Sequence, residues 1–454
     1  MKKTITFLTC MAMAIPSLYA QQTMTLEQLY ELADRQSQQI LVSETGLKAA
    51  GEAVEAAKSA MLPNVNLSLS GSYIGNATLM TRGFSTSGTS DVIVAGLGPQ
   101  AVANGKQDTP HWGNSFTAQA SQVIYAGGGI TAGIKMAEIG KEMAALDVEK
   151  NRQEVRFLLA GYYLDLYRLQ NQTEVIDKNI ELTQQVISNM QVREQQGTVL
   201  RNDITRYEFQ LKTLELTRVK LQDAMAIINH QLCNTLHLEE GTVIMPDTKG
   251  LDQECQSLKG AASADMWQQT ATQNHIGLKQ ANLGTEMADQ KVKAAQAANR
   301  PSVALVVEDD LFGPYTSDLI PVDANVNAWF VGIGVKYDLS SIWNNKHQVR
   351  KAKLDSQKSR EQYTLAAEGV NNGVQACYVD FLTSFTEVQT EEKQVELADQ
   401  NYSVVQNRYN NQLALLTDML DASSMKLSAD MALVGARISL LYNYYKLKYM
   451  TNTL

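Results

Sequence analysis

Four short stretches of the chain alternate strictly between apolar and polar side chains. In "LPNVNLSLSGSY" (62–73), Val65, Leu67 and Leu69 alternate with Asn64, Asn66, Ser68 and Ser70. In "SFTAQASQVIY" (115–125), Phe116, Ala118 and Ala120 share one side. In "RPSVALVVED", Val303, Leu305 and Val307 alternate with Ser302 and Ala304. "AWFVGIGVKYDL" puts Trp329, Val331, Ile333, Val335 and Tyr337 on one face. A period of two marks a strand with one apolar and one polar face.

The rest of the pattern is helical. Residues 25–61, rich in Ala, Glu, Gln and Lys, predict a helix running into the first strand. Pro63 marks its stop, because a proline disfavours helical geometry in the residue before it. Segments 76–113 and 311–327 collect Gly, Ser, Thr and Pro and predict loops. Gly127, Gly128 and Gly129 close the second strand, and a helix over about 130–195 follows. At ~1.5 Å per residue it would span roughly 100 Å. After a break at "REQQGTVLRND", Tyr207, Leu211, Leu214, Leu221, Met225, Ile228 and Leu232 keep the coiled-coil repeat, with Arg218 at the skipped position. Helix is again predicted over 264–299 and 345–407. A last helix carries Leu420, Leu427, Met431, Val434, Ile438, Leu441 and Tyr445 at heptad spacing.

The two halves follow the same order, as an internal duplication would. Pro63 matches Pro301, and Arg193-x3-Gly197-x5-Asp203 matches Arg408-x3-Gln412-x5-Asp418. The expected organisation is a first repeat over 21–240, a linking segment over 241–263 and a second repeat over 264–454. Only 8 of 454 residues are proline, which suits long uninterrupted helices. Lys2 and Lys3 precede an apolar "ITFLTCMAMAI" and "PSLYA", the pattern of a secretory signal peptide cut after Ala20. Export permits a disulfide. Cys233 and Cys255 flank a loop-like stretch and are the candidate pair; with Cys377, at least one thiol stays unpaired.

Nothing beyond that N-terminal stretch offers the 18 consecutive apolar residues of a membrane helix, so a membrane span would be made of strands. Each alternating stretch has the length that crosses a bilayer at a tilt, its apolar face to lipid and its polar face to a lumen. Four strands cannot close a barrel, and an open edge in hydrocarbon leaves backbone groups unpaired, so insertion would require several copies. The net charge of −9 and the lack of a basic tract exclude nucleic-acid binding. No catalytic constellation, cofactor motif or metal-ligand spacing stands out. The five histidines, His111, His230, His237, His275 and His347, form no HExxH. "AGGGITAG" (126–133) lacks both the Lys-Ser/Thr ending and the GxGxxG spacing of a phosphate loop and reads as a strand-to-helix corner.

The signal peptide, the paired helix–strand–loop–strand–helix halves, "LPNV" and "RPSV", and the two R-x3-[G/Q]-x5-D segments resemble the TolC-like outer-membrane efflux proteins over essentially all of the mature chain. The resemblance implies a mostly α protein with four β-strands per protomer, three protomers closing a twelve-stranded membrane barrel continuous with a helical barrel in the periplasm. It implies the exit duct of a tripartite efflux or type I secretion system, with a periplasmic adaptor and an inner-membrane pump as partners. Residue by residue, Asp418 and Asp421 match the family's gate aspartates, Asn202 and Asp203 the matching pair of the first repeat, and Tyr409 a gate-region tyrosine. Arg193, Gly197, Arg408 and Gln412 fall on the tips where the adaptor docks. Ala414 stands where the family has a gate arginine, and Gln412 where it has the second tip glycine. Two other classes remain at this stage: a stand-alone porin, which needs no long helices, and a periplasmic coiled-coil scaffold, which needs no lipid-length strands.

Overall fold

The computed structural model describes residues 21–75, 77–78, 106–107, 110–239, 241–258, 263–316, 321–322 and 324–454. The signal-peptide segment and most of the 76–113 loop lie outside these residues. The first half runs β1 (Gln21–Met24), α1 (Leu26–Gln36), α2 (Gln38–Ser59), β2 (Asn64–Tyr73), β3 (Ala77–Thr78), β4 (Lys106–Gln107), β5 (Trp112–Ala126), α3 (Gly129–Gln195) and α4 (Arg201–Leu236). β6 (Val243–Pro246) and α5 (Thr248–Ser257) follow. The second half runs α6 (Ala264–Asn274), α7 (Ile276–Ala297), β7 (Ser302–Gly313), β8 (Tyr315–Thr316), β9 (Pro321–Val322), β10 (Val326–Lys336), α8 (Ser341–Asn344), α9 (Lys346–Asn410) and α10 (Leu416–Met450).

The protein is mostly helical, and all four alternating stretches are strands. Several expected boundaries move. The helices expected over 25–61 and 264–299 each break once, at Ser37 (ψ 123°) and His275 (ψ 118°). Each of these residues leaves helical geometry while its carbonyl accepts from the next helix, at Leu41 N–H and Lys279 N–H. The loops are shorter than expected, because β5 begins at Trp112, β7 reaches Gly313 and β10 begins at Val326. The 241–263 segment contains a strand and a helix that its sequence pattern does not announce. None of Cys233, Cys255 and Cys377 is in a disulfide. The candidate Cys233–Cys255 disulfide is therefore not formed; the Cys233 thiol instead donates to the Thr242 carbonyl at 3.3 Å.

Chain contacts divide the protein into two units. One comprises Gly51–Ile139 and Glu286–Gln357 and contains the four-stranded antiparallel sheet, ordered β10-β7-β5-β2. Register brings Leu67, Ala118, Asp309 and Trp329 into one row, and Leu69, Phe116 and Leu311 into the next. The apolar face thus spans all four strands, with Asp309, Asn327 and Gln122 as polar interruptions. The opposite face carries Asn66, Gln119 and Glu308 in one row, and Gln119 Nε2 donates to Glu308 Oε2 at 3.0 Å. β2 and β10 are open edges. Leu69 is 81% exposed, Trp112 79% and Trp329 74%, so among the described residues nothing covers this part of the apolar face. At the helix-joined end of the sheet, Ala126, Ser302 and Lys336 share a row. The strand-to-helix corner there needs Gly127: its φ is +64°, and an added Cβ would lie 2.5 Å from the Ala297 carbonyl oxygen.

The other unit comprises the chain up to Ala50, Gly140–Thr285 and Lys358–Leu454. Its larger core packs Leu29, Ile40, Leu159, Tyr163, Leu236 and Phe381, among others, from α1, α2, α3, α4 and α9. β1 pairs in parallel with β6. The buried Tyr163 hydroxyl joins their ends, donating to the Met24 carbonyl and accepting from the Asp247 N–H, each at 2.8 Å. Burial pushes its phenol up to about 12. Tyr167 and Tyr445 donate to Asp252 (2.5 Å) and Glu254 (2.7 Å) of α5, so two long helices hold that short helix by phenol–carboxylate bonds. Arg218, the heptad position that the apolar stripe skips, is exposed and pairs with Asp177 of α3 at 2.8 Å.

Candidate functional site

Two helix–turn–helix ends lie in this second unit, over 193–203 and 408–421, and they close in the same way. α3 ends with the Gly197 N–H on the Glu194 carbonyl (2.9 Å) and the Thr198 N–H on the Arg193 carbonyl (3.0 Å). α9 ends with the Gln412 N–H on the Tyr409 carbonyl (3.0 Å) and the Leu413 N–H on the Arg408 carbonyl (2.7 Å). Both are Schellman caps, which use a left-handed residue to satisfy the last helical carbonyls. Gly197 takes that position at φ +74° and Gln412 at φ +63°. The match between Gly197 and Gln412 noted in the sequence is thus a match of backbone conformation.

Below the turns a small core joins α3, α4, α9 and α10 through Ile187, Met190, Ile204, Tyr207, Tyr402, Leu416 and Met419. It brings three of the candidate residues together. The Arg193 guanidinium lies 5.5 Å from the centre of the Tyr409 ring. Burial raises the Tyr409 phenol; Arg193 opposes the shift and Asp203 adds to it. Arg193, Asp203 and Tyr409 therefore share one electrostatic neighbourhood drawn from α3, α4 and α9. The remaining candidates stand apart. Asn202 is exposed. Asp418 and Asp421 are exposed on the first turns of α10, and Asp418 Oδ2 accepts from the Leu415 N–H at 3.0 Å. That carboxylate caps its own helix, which the helix dipole favours. Among the described residues, no hydrogen bond or ion pair joins Asp418 or Asp421 to Asn202 or Asp203. Arg408 is exposed and donates from Nη2 to the Leu413 carbonyl at 3.4 Å.

Three further features do not show in the spacing. Arg201 pairs with Glu194 (3.9 Å) and Glu208 (3.5 Å) across the first turn. Lys426 of α10 pairs with Asp399 of α9 and sits 5.7 Å from the centre of the Tyr402 ring. Near it, burial raises the Asp430 carboxyl, with Lys426 and Lys178 opposing the shift. The heptad series locates Tyr207 as core, but nothing in it shows that the Tyr207 hydroxyl is buried without a hydrogen-bond partner. Among the described residues, no group of three His, Cys, Asp or Glu side chains could hold a metal ion, and no helix is long and apolar enough to cross a membrane.

Long paired helices joined to a one-sided apolar sheet define the fold of outer-membrane channel proteins. Among solved structures, the chain is similar to CusC (TM-score 0.76, 14% identity, covering 96% of this chain and 95% of that one). It is likewise similar to VceC of Vibrio cholerae (TM-score 0.71, 16% identity, covering 94% of this chain and 96% of that one). The sequence profile of the outer membrane efflux protein family matches residues 29–236 and 267–453, and the chain belongs to that family. A curated relative, the outer membrane protein TolC of Salmonella enteritidis, is 22% identical over 189 residues. That alignment spans 40% of this chain and 38% of TolC.

Proposed function

We propose that the protein is the outer-membrane exit duct of a tripartite efflux or type I secretion system, conducting small molecules passively across the outer membrane and periplasm. One observation carries the reading: a four-stranded sheet with two open edges and an uncovered apolar face. Unpaired backbone in hydrocarbon costs several kcal/mol per group, so a lipid-embedded sheet must close. Three copies, each joining its β2 edge to a neighbour's β10 edge, would give a twelve-stranded barrel. Unpartnered apolar side chains on the long helices, such as Phe209, Leu216 and Ile227 of α4 and Leu397 and Val404 of α9, support contact between copies beyond the sheet.

The proposal keeps the halves 21–240 and 264–454 as repeats and takes the chain to be exported with cleavage after Ala20. It assigns the turns at Arg193, Gly197, Arg408 and Gln412 to docking of a periplasmic adaptor, which links the duct to an inner-membrane pump. Exposed Leu200, Leu413 and Leu415 beside these turns support an apolar component in that contact. Asp418 and Asp421, with Asp203, Asn202 and Tyr409, are assigned to a periplasmic gate around the threefold axis.

Native mass measurement in detergent tests the assembly. The expected result is three times the mature chain; a stable monomer or dimer would overturn both barrel and duct.

A further inference from the structure

The helix-joined end of the sheet carries an unusual surface. Directly after β10, Tyr337, Leu339, Ile342 and Trp343 are all exposed, Trp343 at 62%. They sit on a turn held firmly from below. Asp338 Oδ1 accepts from the Ser340 N–H (3.0 Å) and hydroxyl (2.6 Å), and Ser341 Oγ donates to the Asp338 carbonyl at 2.6 Å. Asn345 Nδ2 donates to the Ala295 carbonyl (2.7 Å) and to Asn299 Oδ1 (2.9 Å), fixing the turn to α7. One turn later comes a run of cations. Residues 336–353 hold Lys336, Lys346, Arg350, Lys351 and Lys353 against the single acid Asp338, in a chain of net charge −9.

These cations are not structural. Lys346, Arg350, Lys351 and Lys353 are exposed, and among the described residues none of them is in an ion pair. At 100° per residue Arg350 and Lys351 lie on the arc of α9 away from Ser356, while Lys346 and Lys353 flank it at about 80° and 60°; Ser356 itself bonds Asp289 of α7 at 2.5 Å. The four cations also crowd the N-terminal turns of α9, which contain no acid in the first turn. A helix N-terminus disfavours positive charge, an effect confined to its first turn and hence to Lys346. Exposed cations with no ion-pair partner among the described residues, one of them at a helix N-terminus, call for a partner outside the chain.

Resting on the membrane reading above, we propose that this turn and the start of α9 form a collar that binds the anionic phospholipid headgroups of the periplasmic leaflet. Its position supplies the geometry: Lys336 ends a membrane-length strand, so the collar begins where the hydrocarbon ends. Tyr337 and Trp343 suit the headgroup level, where rings with one apolar and one polar side accumulate. Lys346, Arg350, Lys351 and Lys353 lie one to three helical turns beyond, so the attraction of a charged surface, which falls off within a Debye length, is greatest for Lys346 and least for Lys353. A juxtamembrane cation gains about 1 kcal/mol from such a surface, or roughly fivefold in affinity.

The test uses the full detergent-solubilised assembly titrated with phosphatidylglycerol, phosphatidylethanolamine or inorganic phosphate, with bound lipid counted by native mass spectrometry. Wild type should prefer phosphatidylglycerol over phosphatidylethanolamine by about tenfold or more, lose that preference in 0.5 M salt, and ignore inorganic phosphate. A combined Lys346→Gln, Arg350→Gln, Lys351→Gln and Lys353→Gln protein should lose the preference. Should it fail to assemble, Lys346→Gln with Arg350→Gln alone should weaken the preference severalfold. Equal binding of the two lipids by wild type overturns the collar. So does a variant that keeps the preference, or one that loses oligomers without losing it, which would assign the surface to a second copy. A chain absent from the membrane fraction would instead sink the duct reading.

Discussion

Gln412 holds a left-handed backbone at φ +63° in a turn whose counterpart uses Gly197. A side chain in that region costs about 1 kcal/mol relative to glycine. Gln412→Gly should therefore raise protection of the Leu413 amide in hydrogen exchange by up to about fivefold, while Gly197→Gln lowers that of Thr198. A second residue-scale case is Asp430, whose carboxyl is raised mainly by burial. A carboxyl raised in the folded state contributes stability below its unfolded value near 3.9 that is lost as pH climbs through the folded value. At pH 7 the ionised group is therefore a net cost. Asp430→Asn should raise the melting temperature at pH 7, within about 1 kcal/mol of effect, and give no gain near pH 3. A gain that persists at pH 3 would assign the effect to packing.

Among the elements, β1, β6 and α5 depend on tyrosines of the long helices. Tyr163→Phe leaves the Met24 carbonyl and Asp247 N–H without their shared partner, which should cost about 1–3 kcal/mol for buried groups. The phenol's folded value of about 12 lies above its unfolded value near 10. Its contribution is complete below pH 10 and disappears as pH rises from 10 to 12. Thermal scans across that interval should show a steeper loss in wild type than in Tyr163→Phe. The same elements mark where periodicity stops being informative. The four strands and the heptad stripe of α4 are legible because each repeats one side-chain environment over ten residues or more. β6 has four residues and α5 ten, too few for a period to emerge, and their partners, Gln21–Met24 and Tyr445, are about 200 residues away in sequence. The breaks at Ser37 and His275 are equally silent, since neither is a proline or glycine.

At the scale of the whole molecule, Asp418 and Asp421 can meet their symmetry mates only in the assembled duct. In the proposed gate, rings of acidic side chains would attract cations, and Ala414 adds no positive charge to offset them. Single-channel recording of Asp418→Asn with Asp421→Asn should show reduced cation selectivity and weaker block by multivalent cations from the periplasmic side. Unchanged selectivity and block would leave Asp418 as the helix cap it is within one chain. The alternation of Val65, Leu67 and Leu69 with Asn64, Asn66 and Ser68 determined a two-faced strand by itself, because strand side chains take opposite faces whatever the partner. Heptad spacing likewise marked the buried face of α4 at Tyr207, Leu214 and Leu232, whereas in α10 only Ile438, Leu441 and Tyr445 of the series are buried and the face before them runs through Leu416, Met419, Ala422, Ala429 and Ala436. Tertiary structure alone decided that Arg193 reaches Tyr409, that Cys233 bonds a carbonyl and not Cys255, and that Gln412 is left-handed. Each of these depends on where distant backbone runs or on a conformation that several residue types can adopt, and local pattern encodes neither.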